Sequence, residues 1–265
     1  MFTFDLAINL ATLGFEDIRY ECENLLIYLG ANSQIINQDY QFILEGNQLR
    51  IPVICPQPSS LDTQYCPQVV LHCLDQLQTK TQTALEIRPT GRAADKVTYQ
   101  VPVGSTSYIL CGKGFSPVMC GDTFQVIPLY LLPALNPAYN SYQDLNLWHY
   151  TYQCLDDLWS VSAYGERYAL GQLQKVRSAL SEQGRRLCGR IEQLTGVPTY
   201  YFLTNRRSWS ETQDRAQRCP LTGQEWLLDG CTFNDLIGFK CEESRLVSEL
   251  SSMVRTRAAR LKKSN

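Results

Sequence analysis

The sequence predicts an α+β protein, and three observations support that fold class. Residues 1–95 alternate apolar runs with helical patterns in the order β-α-β-β-α-β, the ferredoxin-like arrangement of one sheet and two helices. Residues 164–195 repeat leucine at helical spacing, as a long amphipathic helix does. Residues 219–244 place two cysteines in incomplete zinc-knuckle motifs, which predicts a degenerate zinc-ribbon-like lobe at the C-terminal side.

Each element of the N-terminal lobe has a local signal. "FTFDLAINL" alternates as a strand does, and capping preferences place a helix from about Phe15 to Leu29. "YQFILEGNQLRIPVIC" contains two apolar runs joined at Gly46-Asn47, which predicts a hairpin. A helical period follows in "CPQVVLHCLDQLQTK", with Pro67 in its first turn, and "TALEIRP" supplies a last short strand.

Changes in composition set the remaining boundaries. Residues 96–145 are rich in glycine, proline and β-branched residues and are predicted to be a β-rich connecting segment. A helical segment with the long helix then occupies residues 146–210. The ribbon-like lobe covers residues 211–252, and residues 253–265 form a basic tail.

The long helix is predicted from 164 to 195, with Gly196 and Pro198 as its stop. At 100° per residue its apolar positions fall within a sector of about 60°. They are Leu173, Val176, Leu180, Leu187, Ile191 and Leu194. This stripe indicates packing. The opposite face is basic, which is typical of a solvated surface or of a surface for a polyanion.

A second basic stretch, "TYYFLTNRRSWSETQDRAQR", interleaves aromatic and arginine side chains. Arginine binds phosphate in a bidentate way, and aromatic rings stack on unpaired bases. Arg206, Arg207 and Trp209 are therefore candidates for contact with nucleic acid. The alternation in "YYFL" is equally that of a half-buried strand.

Composition limits the classes of protein that the chain can represent. With 44% hydrophobic and 19% charged residues it has the composition of a soluble globular protein. No apolar run approaches the roughly 18 residues of a membrane span, and the N-terminus lacks a secretory signal. The eleven cysteines are scattered, which indicates buried thiols. We therefore expect a cytoplasmic protein without a membrane partner.

The net charge of −2 conceals blocks of opposite sign. Residues 167–218 carry 10 basic and 4 acidic side chains, residues 219–252 carry 2 and 6, and residues 253–265 carry 5 basic and no acidic ones. Residues 1–133 are acidic, with 7 basic and 12 acidic side chains. Local fields, more than the total charge, steer a charged partner, so a polyanion remains open as a partner.

The incomplete knuckles follow the pattern C-x2-T-x18-C-x2-S, with Cys219, Thr222, Cys241 and Ser244 at the four ligand positions of a zinc ribbon. A structural zinc site needs four thiolate or imidazole ligands, whereas an alcohol stays protonated at neutral pH. We therefore expect neither zinc nor another cofactor. Burial of the apolar runs "WLL" and "LIGF" would hold the lobe instead. A disulfide between the two cysteines is an alternative, which a reducing compartment disfavours.

A third half-knuckle in "MCGDTF" places Cys120 three residues before Thr123, again with a hydroxyl at the second sulfur position. Three copies of one incomplete motif, two of them at ribbon spacing, indicate knuckles that have degenerated. These positions are candidates for former metal ligands, and we expect no metal at them.

A resemblance accompanies these motifs. "WHYTYQCLDDLWSVSAYGERYALGQLQKV", "CGDTFQVIPLYLLP" and "RCPLTGQEWLLDG" resemble a bacterial family of uncharacterised proteins described as predicted nucleic-acid-binding and zinc-ribbon-containing. The similarity covers roughly residues 110–252, and over residues 1–100 it is only a similar layout. In that family the C-terminal knuckles are complete. The resemblance thus implies that Cys219 and Cys241 match metal ligands, while two hydroxyl residues occupy the other positions.

Motifs of catalysis are sparse. The sequence has no G-x-S-x-G elbow, P-loop, G-x-G-x-x-G or H-E-x-x-H. A cysteine nucleophile needs a histidine base, and the aromatic-flanked His149 is more typical of a packed residue. We expect no enzymatic activity and identify no small-molecule substrate.

Three functional hypotheses remain. The first is non-catalytic, sequence-tolerant binding of nucleic acid, through Arg185, Arg186, Arg190, Arg206, Arg207, Trp209, Arg255, Arg257, Arg260, Lys262 and Lys263. The acidic ribbon segment has the wrong sign for this role. The second is a protein–protein interaction factor, such as an inhibitor or a toxin-neutralising, immunity-type protein, that uses the metal-free ribbon and the acidic N-terminal lobe. The third is a structural subunit with no separable activity.

Overall fold

The computed structural model describes residues 1–37, 39–96, 99–136, 141–162, 164–206, 209–232 and 237–251, with the backbone alone for 229–232. The chain divides into two compact units. The first unit contains residues 1–103 and 125–143, and the second contains residues 104–124 and the chain from 144 onward. The mixed α+β class is confirmed, because each unit has its own sheet and its own helices.

The first unit has a four-stranded antiparallel sheet in the order β2-β3-β1-β4. Its elements are β1 (Phe2–Asn9), α1 (Arg19–Ala31), β2 (Ile43–Glu45), β3 (Gln48–Cys55), α2 (Gln68–Thr81) and β4 (Glu86–Arg92). The predicted hairpin at Gly46-Asn47 is present, and Gly46 has the positive φ of 60° that favours glycine in such a turn.

The core of this unit lies under one face of the sheet. Burial alternates along β3, where Leu49, Ile51, Val53 and Cys55 point inward, as the period of two in a strand requires. Apolar side chains of both helices belong to the same buried cluster. Each large side chain buried there contributes about 1.5–3 kcal/mol to the free energy of unfolding.

The second unit contains a six-stranded mixed sheet in the order β6-β5-β7-β10-β9-β8. Its elements are β5 (Tyr108–Leu110), β6 (Val118–Cys120), α3 (Gln143–Val161), α4 (Glu166–Gln174), α5 (Ala179–Thr195), β7 (Thr199–Leu203), α6 (Glu211–Arg215), β8 (Leu227–Thr232), β9 (Ile237–Cys241) and β10 (Leu246–Glu249). Strands β5, β7 and β10 are neighbours and run parallel, whereas the other pairs are antiparallel. The run "TYYFL" is therefore a fully buried central strand.

The long helix predicted from 164 to 195 is two helices, α4 and α5. The chain leaves the helical conformation at Lys175, where ψ is 118°, and Ser178 begins the next helix as its N-cap. The Ser178 hydroxyl accepts a hydrogen bond from the backbone N–H of Ser181 and donates one to the carbonyl of Gln172. The leucine spacing continues across this break, but the helix does not, because Ser178 caps the start of a new helix.

The segment 96–145, treated above as one connection, is divided between the units. Residues 104–124 supply β5 and β6 to the second sheet. Residues 125–136 belong to the first unit, where the buried Tyr130 bonds through its hydroxyl to Ser60 and Gln57. Strand pairing and buried hydrogen bonds, neither of which composition reveals, decide this division. None of the described helices combines the length and the apolarity needed to cross a membrane.

Candidate functional site

The carboxyl ends of β5, β7 and β10 lie side by side because these three neighbouring strands are parallel. Such an edge is where open α/β sheets bind their ligands. Lys113 follows β5 closely, Asn205 and Arg206 follow β7, and Glu249 is the last residue of β10. Parallel pairing therefore gathers charged and amide side chains from three distant parts of the sequence.

A buried ion pair joins two of these strand ends. The side chain of Glu249 is fully buried, and Lys113 Nζ lies 3.6 Å from its Oε2. The backbone N–H of Asn205 donates to Glu249 Oε1 at 3.3 Å, and its side-chain amide donates to the Glu249 carbonyl at 3.1 Å. The ammonium of Lys113 also lies 5.0 Å above the ring of Phe202. These contacts compensate the desolvation of a carboxylate that would otherwise be costly.

Arg206 takes part in a second ion pair at the same edge. Its Nη2 lies 3.1 Å from Asp156 Oδ1 on α3, and its guanidinium stacks 4.6 Å above the ring of Trp159. Only 19% of its side chain is exposed. The guanidinium that was predicted to contact phosphate is therefore paired with a carboxylate of the same chain. His149, also on α3, is buried, and burial lowers the pKa of its imidazole.

A cavity of about 420 Å³ adjoins this edge within the second unit. Leu203, Thr204 and Asn205 at the end of β7 and Ser248 from β10 line it. The remaining lining residues include aromatic and amide side chains together with one arginine and two small apolar residues: Trp209, Trp226, Gln174, Gln213, Gln217, Arg218, Ala216 and Pro220. Aromatic faces combined with amide groups suit a planar, hydrogen-bonding ligand.

Two residues that line the cavity each have a buried donor atom with no hydrogen-bond partner among the described residues. These donors are the indole Nε1 of Trp226, whose residue is 4% exposed, and Nε2 of Gln174. The Trp226 ring itself packs against Phe239, with a centroid distance of 5.0 Å. A buried donor without a partner costs about 1–3 kcal/mol.

The four knuckle positions converge in space. Cys219 Sγ lies 3.2 Å from Ser244 Oγ, and Thr222 Oγ1 lies 3.6 Å from Cys241 Sγ. Both cysteines are free and buried. Two thiols with two alcohols are a poor donor set for zinc, and here each alcohol is engaged with a sulfur. Among the residues that the structure describes, no group of three or more His, Cys, Asp or Glu is placed to share a metal ion.

The third half-knuckle lies elsewhere in the sheet. Cys120 ends β6, and three strands separate β6 from β9, which ends at Cys241. The thiol of Cys120 donates to Asp122 Oδ2 at 3.8 Å, and the backbone N–H of Thr106 donates to the same carboxylate at 2.6 Å. Thr123 is exposed in the following turn. This half-knuckle is thus part of a hydrogen-bonded turn, separate from the C-terminal pair.

The environment of Cys219 favours its thiolate. Burial raises the pKa of this thiol, but hydrogen bonds from the hydroxyls of Ser244 and Thr222 and from the backbone of Leu221 and Thr222 outweigh burial. They lower the pKa to about 7 from the usual 9.0. Hydrogen bonds to a charged group stabilise its charged form, so the alcohols supply part of what a metal would supply.

We expect this thiolate to make stability depend on pH. Between pH 7 and 9 the unfolded chain binds at Cys219 the proton that the folded chain has released, so the contribution of Cys219 to the free energy of unfolding rises with pH through this window. The gain should be on the order of 1–2 kcal/mol. Urea unfolding of the wild type and of Cys219→Ser at several pH values measures it.

The variant Ser244→Ala serves as the control for this prediction. It removes one hydroxyl donor to the sulfur and leaves the thiol in place. The rise in the free energy of unfolding that Cys219 contributes should therefore shift towards higher pH. An identical pH dependence in the wild type and Cys219→Ser would contradict the assignment.

The other predicted contacts are placed as follows. Arg185 and Arg186 lie on α5 and, with Glu182, line an open cavity of about 300 Å³. Arg190 Nη1 lies 2.6 Å from Asp144 Oδ2. Trp209 lines the larger cavity, and its carbonyl accepts a hydrogen bond from Ser251. Predicted contacts that lie outside the described residues are Arg207, Arg255, Arg257, Arg260, Lys262 and Lys263.

Sequence reasoning missed the cavity and the Lys113–Glu249 pair. Lys113 lies in "CGKGF", and a lysine just after an apolar run is a signal of a charged strand end. Gln174 and Trp226 appear in the sequence as an ordinary helical polar residue and an ordinary apolar residue. Their shared cavity depends on the sheet order, which the pattern of residues does not give.

The fold and this edge define an α+β protein whose mixed sheet has an aromatic and amide cavity at the ends of its parallel strands. Residues 99–204 match the family model described as "Domain of unknown function (DUF2310)", and residues 208–254 match "Domain of unknown function (DUF8594)". An uncharacterised protein of Haemophilus influenzae is 31% identical over 230 residues, which cover 83% of this chain and 86% of that relative. The chain belongs to this bacterial DUF2310 family.

A second uncharacterised protein of Haemophilus influenzae is 38% identical over 150 residues, which cover 57% of this chain and 72% of that relative. No solved structure matches the chain. The names of these relatives state no activity, ligand or partner, so functional inference depends on the geometry of the second unit.

Proposed function

We propose that the protein is a non-catalytic, zinc-free binding protein that takes up single-stranded nucleic acid in a largely sequence-tolerant way. The observation that carries this proposal is the cavity at the ends of β7 and β10, with Trp209 and Trp226 in its wall. Aromatic rings stack on unpaired bases whatever their sequence, and amide groups bond to base edges. A base splayed out of a single strand would occupy the cavity.

Basic side chains near this cavity support the proposal. Gln174 lines the cavity, and the exposed Lys175 and Arg177 follow it within three positions. Neither forms an ion pair with another described residue, so both are available to phosphates. Arg185 and Arg186 on α5 and the predicted basic residues of 253–265 would extend the contact along the strand. Each phosphate neutralised releases counterions, which makes binding depend steeply on salt.

Fluorescence anisotropy with labelled single-stranded and duplex oligonucleotides at low and high salt tests the proposal. We expect single strands to bind more tightly than duplexes and affinity to fall steeply as salt rises. Trp209→Ala should weaken binding about 5- to 100-fold, because stacking contributes about 1–3 kcal/mol per base. Tyr20→Ala, which removes an exposed ring of the first unit, is the matched control and should change nothing. Absence of binding to every oligonucleotide at the lowest salt would refute the proposal.

One observation favours the alternative function, a protein–protein interaction factor. Helix α3 exposes Leu147, Tyr150 and Val161 by 60%, 66% and 83%, and large apolar side chains gathered on one helix often mark a protein interface. This helix would receive a protein partner, and the metal-free ribbon and the acidic first unit are two separate candidate surfaces for this function. Co-purification of a defined partner, lost on Tyr150→Glu, combined with no nucleic-acid binding, would favour this alternative.

We also propose finer descriptions of the two lobes. The order β2-β3-β1-β4 with all pairs antiparallel and two helices supports a ferredoxin-like first unit. Convergence of Cys219, Thr222, Cys241 and Ser244 beside the antiparallel pair β8-β9 supports a degenerate ribbon in the second unit.

A further inference from the structure

We propose that the protein forms a two-fold symmetric dimer in which α3 packs antiparallel against α3 of a second copy of this chain, with Cys154 facing its own counterpart. The inference goes beyond the proposed function and does not depend on nucleic-acid binding. It begins from an outer stripe of α3 that lies largely in solvent. The members of the outer stripe are Leu147, Tyr150, Cys154, Leu158 and Val161.

The outer stripe occupies one side of the helix. At 100° per residue, its other four members lie within about 40° of Cys154 around the helix axis. The exposures agree with this placement. Leu147, Tyr150 and Val161 are 60%, 66% and 83% exposed, Cys154 is also exposed, and Leu158 is half-buried. The stripe is therefore one continuous surface and is not a set of scattered apolar positions.

The spacing of the outer stripe reads the same in both directions along the helix. Successive members are 3, 4, 4 and 3 residues apart, so the stripe is symmetric about Cys154. When two copies of α3 are laid antiparallel about that residue, Leu147 comes level with Val161 of the second copy, and Tyr150 comes level with its Leu158. A two-fold contact requires a surface patch that complements itself. This symmetry favours a second copy of the chain over a different protein as the partner of α3.

The exposed Asp157 decides the direction of the pair. It lies about 60° from Cys154 around the helix axis, at the same border of the stripe as Tyr150. In a parallel pair the two Asp157 carboxylates would lie opposite each other and repel. The antiparallel pair separates them by about 9 Å along the axis and brings each beside Tyr150 of the second copy. The phenol can donate a hydrogen bond to the carboxylate, so charge favours the antiparallel arrangement.

The size of the contact indicates a reversible dimer. The stripe extends about 21 Å from Leu147 to Val161, which is a small interface for two proteins. Tyr164 and Tyr168, which follow α3, are 84% and 65% exposed and would extend the contact at both of its ends. We therefore expect a Kd of about 1–100 µM.

Sedimentation velocity of the reduced chain at about 1–200 µM tests the association. The wild type should pass from monomer to dimer across this range. Tyr150→Glu should raise the Kd about tenfold or more, because it places a second carboxylate beside Asp157 of the other copy. Tyr20→Glu makes the same change at an exposed ring of the first unit and should leave the Kd unchanged. Both positions are exposed, so both variants should melt close to the wild type in a thermal scan.

Cross-links between cysteines test the geometry. Cys154 is the one fully exposed cysteine among the described residues, so a short bifunctional maleimide should join two wild-type copies there, and Cys154→Ser should abolish the product. In the Cys154→Ser background, Leu147→Cys alone and Val161→Cys alone should give no cross-link, because equal positions of the two copies lie about 21 Å apart. A mixture of these two variants should cross-link, because positions 147 and 161 lie level in the antiparallel pair.

The contrary outcomes are distinct. A chain that stays monomeric at about 200 µM, or a dimer that Tyr150→Glu leaves intact, would overturn the inference. Cross-linking of Leu147→Cys to itself would show a parallel contact and overturn the antiparallel geometry. A different protein that binds the stripe of a monomeric chain would also overturn it and would support the alternative function. Oligonucleotide binding is measured separately, so its presence or absence decides the proposed function without deciding the dimer.

Discussion

Gly184→Ala should lower the free energy of unfolding by about 3 kcal/mol or more, although the change adds only one methyl group. Gly184 lies on α5 where the helix crosses the sheet. A Cβ atom there would be 2.3 Å from Cε2 of Tyr201 and 2.9 Å from Nε1 of Trp148. Both rings are fully buried, and Trp148 donates to the Leu180 carbonyl, so neither can move aside. Urea unfolding followed by circular dichroism measures the effect.

The same helix provides a matched control. Gly189 is exposed on α5, and a Cβ atom added there has no neighbour within 4 Å. Gly189→Ala should therefore stabilise the protein by roughly 0.5–1 kcal/mol, the usual gain of alanine over glycine inside a helix. A similar effect of the two substitutions would show that α5 does not approach β7 as closely as described.

Lys113→Met should lower the free energy of unfolding by about 3–5 kcal/mol. Methionine retains most of the aliphatic stem over Phe202 but removes the ammonium group that pairs with the fully buried Glu249. The large loss comes from the remaining carboxylate, since removing one member of a buried ion pair is strongly destabilising. Equilibrium unfolding in urea gives the value.

A double variant and an exposed lysine control this prediction. Adding Glu249→Gln to Lys113→Met should restore much of the lost stability, because it removes the buried charge that the ammonium group stabilised. Lys175→Met, at an exposed position, should change stability by no more than about 0.5 kcal/mol. A loss below about 1 kcal/mol in Lys113→Met would contradict the buried pair, given the usual size of such effects.

Local patterns predicted most of the first unit. The turn at Gly46-Asn47 and the alternation along β3 are short-range features, and a strand period of two or a helical period can be found without knowing the fold. The helix break at Lys175 was missed for the opposite reason. The leucine spacing continues across it, and the cap formed by Ser178 depends on a hydrogen bond to Gln172 that spacing does not show.

The candidate site could be predicted only in part. The four knuckle positions were found from spacing, and the structure brings their side chains together. The cavity was not found, because its wall combines Gln174 with Trp226 and the ends of β7 and β10. Those segments meet through parallel pairing across long sequence separations, which a single sequence does not specify. Composition identified Arg206 as a basic residue but could not show that Asp156 pairs with it in the fold.

The position of β10 in the second sheet has a consequence for biosynthesis. This strand is made after β5, β7, β8 and β9, yet it lies between β7 and β9. While the ribosome is still translating the segment before Leu246, both of those neighbours keep an open edge that can pair with other chains. The sheet of this unit is therefore completed by late insertion of β10, and the cavity beside it forms only when this strand has left the exit tunnel.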